Sequence, residues 1–124
     1  MTRPLSVLVV DDAASIRLLC RVNLELDGHH ALEAASLEEA RGALAQEDVS
    51  LVLLDVHVGS ADGLELLDEI RRDYPEVAVA LLTGSTDVER ARAHGPDAVL
   101  GKPFELEDLR RVVELAGNRT ARSV

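Results

Sequence analysis

Three short runs of this chain are apolar almost without interruption: Leu5–Val10, Val49–Leu54 and Val77–Leu82. Each is rich in Val and Leu, holds at most one serine, and is bounded by polar or turn residues. A strand with one wet face alternates apolar and polar residues. A continuous run needs burial on both faces, as in a parallel sheet covered by helices on either side. Two weaker strands are expected at His30–Ala34 and Ala98–Leu100.

Helical patterns fill the gaps. Ile16, Leu19, Cys20 and Leu24 recur at helical spacing, as do Leu64, Leu67 and Ile70, and Leu106, Leu109, Val113 and Ala116. Ser36-Leu37-Glu38-Glu39 is a capping box, predicting a helix that starts there and runs to about Glu47. Thr86 to Glu89 is expected to cap a short fourth helix ending near His94. Gly28, Gly95 and Gly117 stand where helices should stop. The order is strand–helix five times over. It predicts an α/β three-layer sandwich around a five-stranded parallel sheet. A single domain is expected over 1–117, followed by an irregular tail at 118–124 that frays.

The composition narrows the function. A net charge of −10 argues against direct nucleic-acid binding and against anionic membranes. No apolar stretch approaches the roughly 20 residues of a membrane helix. The apolar start is cut off by Asp11 and Asp12 with no small-residue cleavage site, so a secretory signal is not expected. Cys20 is the single cysteine, which excludes an internal disulfide and is expected to be a buried small hydrophobe. The expected location is cytoplasmic. Of the 13 basic residues only Lys102 is lysine, which marks it for a position that needs a compact ammonium.

In open parallel sheets, ligands bind beyond the carboxyl ends of the strands. Asp11 and Asp12 follow the first strand, Asp55 the third and Thr83 the fourth; Lys102 follows the fifth by one residue. One aspartate at a strand end is ordinarily a solvated turn residue or a cap. Three together repel, and one stays protonated unless a cation joins them. A hard cation with oxygen ligands answers this, and Mg²⁺ suits a shell that includes phosphate. Thr83 can donate to a phosphoryl oxygen, Lys102 can neutralise the added charge, and a carboxylate can act as the nucleophile.

These residues resemble the receiver domains of two-component response regulators. The matching pieces are Val9-Val10-Asp11-Asp12, Asp55 at the end of an apolar strand, Asp62-Gly63, Leu82-Thr83-Gly84 and Gly101-Lys102-Pro103-Phe104. The resemblance runs from about Leu5 to Gly117. It implies a flavodoxin-like, CheY-like fold with sheet order 2-1-3-4-5. It also implies that Asp55 is the phosphoacceptor, that Asp12 ligates Mg²⁺ directly and Asp11 mainly through water, and that the His57 backbone carbonyl adds a ligand. Thr83 would turn to the phosphoryl group, Lys102 would pair with it, and Pro103 would follow a cis peptide bond.

The implied donor is a histidine kinase or histidine phosphotransfer protein. The downstream protein is unknown, and the active form is a monomer or a phosphorylation-dependent dimer. The chain is expected to be a switch and not an enzyme, beyond accepting the group and slowly losing it. The alternatives are a receiver belonging to a longer transcription factor or hybrid kinase, a receiver that only binds partners, and a magnesium-dependent aspartyl-nucleophile phosphatase. That last class carries a second aspartate two residues after the nucleophile, where this chain has His57.

Three positions depart from the family pattern. Val99 replaces the usual aromatic three before the lysine. Lys102 comes only 19 positions after Thr83. Gly59 stands where proline is common. An aromatic rotamer relay is therefore excluded, and activation is expected to move the backbone after Thr83 without one. His57 is read either as an exposed loop histidine that contributes only its carbonyl or as a residue that, like Ser85, influences how fast the phosphoryl group is lost; Ser85 is otherwise a helix cap. His29 and His30 are expected to be structural.

Overall fold

The computed structural model describes residues 3–122, without the side chains of Ser85 and residues 119–122. The strands of the main sheet are β1 (Ser6–Val10), β2 (His30–Ala34), β3 (Leu51–Asp55), β6 (Ala78–Thr83) and β7 (Ala98–Gly101). They are all parallel and lie in the order β2-β1-β3-β6-β7. This is the 2-1-3-4-5 order expected of the sheet strands. A two-residue pair absent from the sequence reading, β4 (His57–Val58) and β5 (Ala61–Asp62), forms a small antiparallel hairpin after β3.

The helices are α1 (Ala14–Leu26), α2 (Leu37–Gln46), α3 (Gly63–Asp73), α4 (Val88–Ala93) and α5 (Leu106–Arg122). Alternate residues of each strand face opposite layers. Val7, Val9, Leu51 and Leu53 pack with Cys20 and Leu24 of α1 and Leu109, Val113 and Ala116 of α5. Leu8, Val10, Val52 and Leu54 pack with Leu37 and Leu44 of α2, Leu67 and Ile70 of α3, and Ala91 of α4. The two cores explain why the central strands read as unbroken apolar runs: every residue of β3 and β6 is buried.

Local signals set most boundaries. Ser36 Oγ accepts from the Glu39 amide at 3.1 Å, so Ser36 caps α2 as expected, while the Glu39 carboxylate reaches one residue past the cap and accepts from the Ala35 amide at 2.8 Å. Gly28 (φ +88) and Gly95 (φ +69) take the left-handed conformation just beyond α1 and α4. The entry to α4 differs from expectation. Ser85–Asp87 form a 3₁₀ turn, and the N-cap residue of α4, Asp87, makes no side-chain capping bond. The end of α5 also differs. The expected stop at Gly117 is passed, and the helix replaces the irregular tail as far as Arg122. Glycine inside a helix costs about 1 kcal/mol against alanine but leaves its backbone hydrogen bonds intact. Val112, Val113 and Ala116, buried immediately before it, anchor the last turns. Residues 123 and 124 of the expected tail lie outside the described residues.

His29 is buried, and its Nδ1 accepts from the Leu5 amide at 3.0 Å, which is the structural role expected of it. No helix among the described residues is long and apolar enough to cross a membrane.

Candidate functional site

The parallel register brings the strand ends into one row. Val10 lies opposite Leu54, Asp55 opposite Leu82, and Thr83 opposite Gly101. Asp11, Asp55, Thr83 and Lys102 therefore line the same edge of the sheet. Asp12 follows Asp11 into the loop before α1. The structure brings together all five residues that the sequence singles out.

Asp11, Asp12 and Asp55 offer carboxylate oxygens within 4.8 Å of one another. Asp11 and Asp55 are buried, while Asp12 is exposed. Lys102 Nζ donates to Asp11 Oδ2 at 2.7 Å and to Asp55 Oδ2 at 3.1 Å. The second oxygen of Asp55 accepts from the His57 amide at 3.1 Å, and that of Asp11 from the Ala13 amide at 2.9 Å. The Lys102–Pro103 bond is cis, as expected.

One ammonium faces three carboxylates, and the ionisation reflects that imbalance. Burial raises the Asp55 pKa above the usual carboxylate value, helped by the charge of Asp11. The His57 amide and Lys102 pull the other way without cancelling the rise. Burial opposes the charge on Lys102, but its bonds to Asp11 and Asp55 prevail and raise its pKa. Such a cluster gains from one more positive charge. Its donors are all oxygen, which fits a hard cation.

Thr83 is buried, and its hydroxyl donates to the Gly84 carbonyl at 3.0 Å. Its carbonyl accepts from the Lys102 amide at 2.7 Å, tying the two strand ends together. Val99 is half-buried on β7 and supplies no ring. The Ser85 side chain lies outside the described residues.

Sequence reasoning missed several supporting residues. Arg17 Nη1 donates to the Asp11 carbonyl at 2.6 Å while its Nε donates to Glu33 at 3.1 Å, bracing the acidic loop against β2. A cation near the first helix has no signature in the sequence. Gly63 lies so close beneath β3 that a Cβ there would sit 2.0 Å from the Asp55 carbonyl oxygen. Its amide donates to the Val56 carbonyl at 2.6 Å. The Asp62-Gly63 pair was visible as a motif, but its reason is this close approach.

Across the hairpin, His57 and Asp62 are register partners. Gly59 (φ +62) opens the turn between them. His57 Nε2 pairs with Asp87 Oδ2 at 2.7 Å, and Asp62 pairs with Arg90. Asp62 also caps α3 by accepting from the Leu64 amide at 3.0 Å. The hairpin is thus joined at two points to the start of α4. Ion pairs between loops leave no local pattern to read.

The parallel sheet, its acidic edge and its lone lysine define a receiver domain of two-component signalling. The chain belongs to the response regulator receiver domain family, whose model matches residues 7–114. It is similar to the nitrogen assimilation regulatory protein NtrX of Azorhizobium caulinodans, 35% identical over 115 residues, covering 89% of this chain and 25% of that protein. It is also similar to the sensor histidine kinase AruS of Pseudomonas aeruginosa, 35% identical over 120 residues, covering 91% of this chain and 12% of that one. The crystal structure of a response regulator receiver domain protein from Clostridium thermocellum superposes with a TM-score of 0.88 at 30% identity, covering 97% of this chain and 99% of that one. The chain spans a quarter or less of the length of the two curated relatives named.

Proposed function

We propose that this receiver takes a phosphoryl group onto Asp55 from a phosphohistidine, with Mg²⁺ held by Asp11, Asp12, Asp55 and the His57 backbone carbonyl. The observation that carries this reading is the cluster itself: three carboxylates within 4.8 Å at the carboxyl edge of the sheet, with Lys102 bonded to two of them. Mg²⁺, when bound, neutralises charge on the carboxylates and on the incoming phosphoryl oxygens.

The chain's own residues account for the rest. The His57 amide and Lys102 fix the Asp55 carboxylate, so the nucleophile is oriented before the donor arrives. The Asp55 oxygen forms the new O–P bond as the N–P bond of the phosphohistidine breaks, and the released imidazole keeps the electron pair. Lys102 remains beside the product and balances its charge. Thr83 exchanges its bond to Gly84 for one to the phosphoryl group. That exchange moves the segment after β6 and shifts the population between two arrangements.

The donor is a histidine kinase or histidine phosphotransfer protein, and the switched face binds a downstream protein. The expected setting is the cytoplasm. The domain is a switch and not a turnover enzyme: the residue two after Asp55 is His57, and its ring is held by Asp87 instead of offering a carboxylic acid to a leaving group. The test is the intact mass after incubation with acetyl phosphate. A single phosphoryl adduct that needs Mg²⁺ and is lost in Asp55→Asn supports the reading. An adduct retained in Asp55→Asn contradicts it, as does multiple turnover of small phosphate esters.

A further inference from the structure

We propose that Asp87 and Arg90 are positioning residues that clasp the phosphoacceptor loop to the start of α4 and favour the arrangement in which the Thr83 hydroxyl is bonded to Gly84. The inference rests on the phosphoacceptor reading above and adds a control on it that lies outside the acidic cluster.

The geometry has three linked parts. His57 and Asp62 face each other across the base of the hairpin. Asp87 and Arg90, three positions apart, meet them one to one: His57 Nε2 with Asp87 Oδ2 at 2.7 Å, and Asp62 with Arg90. At one end of this clasp, the His57 amide holds the Asp55 carboxylate. At the other, Asp87 stands four residues after Thr83, at the end of the 3₁₀ turn. The same turn is closed by the Asp87 amide donating to the Gly84 carbonyl at 3.2 Å, the carbonyl that also accepts from the Thr83 hydroxyl. The clasp, the 3₁₀ turn and the Thr83 rotamer therefore share one arrangement.

For Thr83 to serve a group on Asp55, its hydroxyl must leave Gly84, and a turn closed on that carbonyl shifts with it. Asp87 then moves relative to His57. Ligand binding must pay for opening the clasp, so the clasp biases the domain toward the arrangement in which Thr83 faces Gly84. It also supplies a route from Asp55 to α4 that needs no aromatic at Val99. The two pairs are partly exposed, so the bias is modest and adjustable.

The test is beryllofluoride affinity in the presence of Mg²⁺, read by the amide spectrum of the full chain. Asp87→Ala and Arg90→Ala should each bind about two- to fivefold more tightly than wild type, the scale of one partly exposed pair. Asp87→Asn, which keeps an acceptor for His57 Nε2–H, should stay close to wild type. Unchanged or weaker binding in both alanine variants overturns the proposal, and so does equal tightening in Asp87→Asn. If wild type itself fails to bind, the phosphoacceptor reading falls. The clasp is then judged by relaxation dispersion at Gly84–Val88, where Asp87→Ala must increase exchange over wild type and an unchanged profile overturns it.

Discussion

Replacing Gly63 by alanine tests how tightly the site is built against its support. A Cβ at that position meets the Asp55 carbonyl oxygen at 2.0 Å, and the Asp55 carbonyl carbon and Val56 carbonyl oxygen at 3.1 Å each. Real Cβ contacts stay above 3.0 Å. Roughly 1 Å of displacement is needed, and every atom in the way is backbone. Asp55 ends a central strand paired with β6, and the Val56 amide donates to the Leu82 carbonyl at 3.0 Å, so β3 has little room to retreat. Overpacking of this kind costs about 1–3 kcal/mol, and a rigid obstacle puts Gly63→Ala at the top of that range. Taking roughly 3–4 °C per kcal/mol for a chain of this length, the melting temperature should fall by about 10 °C.

Gly42 is the control. It lies exposed in α2, and nothing would stand within 4 Å of its Cβ. Gly42→Ala should stabilise the fold by about 0.5–1 kcal/mol. Thermal and urea unfolding of both variants measure the difference. Beryllofluoride binding below the transition shows whether Asp55 is displaced as well. A Gly63→Ala protein within about 0.5 kcal/mol of wild type would mean that the backbone at Asp55 yields to the methyl group and no rigid obstacle exists, because that is the usual range of an ordinary surface substitution.

Other outcomes follow from the same geometry. Removing Asp12, the exposed member of the cluster, should weaken Mg²⁺ binding by at least the ~10–100-fold that loss of a mere supporting partner costs; titration calorimetry checks it. Ser36→Ala removes the acceptor for the Glu39 amide and should cost about 1 kcal/mol in urea unfolding. Burial, aided by the charge of Asp11, pushes the Cys20 thiol up to about 11, Lys102 opposing. Folded protein at pH 8 then holds only about one thiolate in a thousand. Because the folded pKa lies above the unfolded one, stability is intact below about pH 9 and falls as the pH rises from there toward 11. Alkylation at pH 8 should therefore track unfolding, and rapid labelling of the native protein would contradict this.

The parts of this protein that were legible in its sequence are those where one physical demand acts on neighbouring residues. Burial on both faces makes β1, β3 and β6 continuous apolar runs. The Ser36-Leu37-Glu38-Glu39 signature announces α2, with Ser36 capping the Glu39 amide. The strand ends carry Asp11, Asp12, Asp55, Thr83 and Lys102 because a parallel sheet places its chemistry there. The illegible parts depend on residues far apart in the chain. The β4–β5 hairpin is too short to show a period, and its pairing with Asp87 and Arg90 is a matter of tertiary distance. Gly117 resembled a stop because glycine often ends helices, yet the packing of Val112, Val113 and Ala116 carried α5 past it. Arg17 acts on a backbone carbonyl that no pattern of side chains reveals.

Borohydride reduction identifies the residue that carries the phosphoryl group, proposed here to be Asp55. Hydride attacks the acyl carbon of an aspartyl phosphate, releases phosphate and leaves homoserine at that one position. Peptide mass spectrometry after phosphorylation with acetyl phosphate and Mg²⁺ should find homoserine at position 55, and none there when Mg²⁺ is withheld. Homoserine at another aspartate, or a phosphorylated chain yielding none, would contradict the assignment of Asp55.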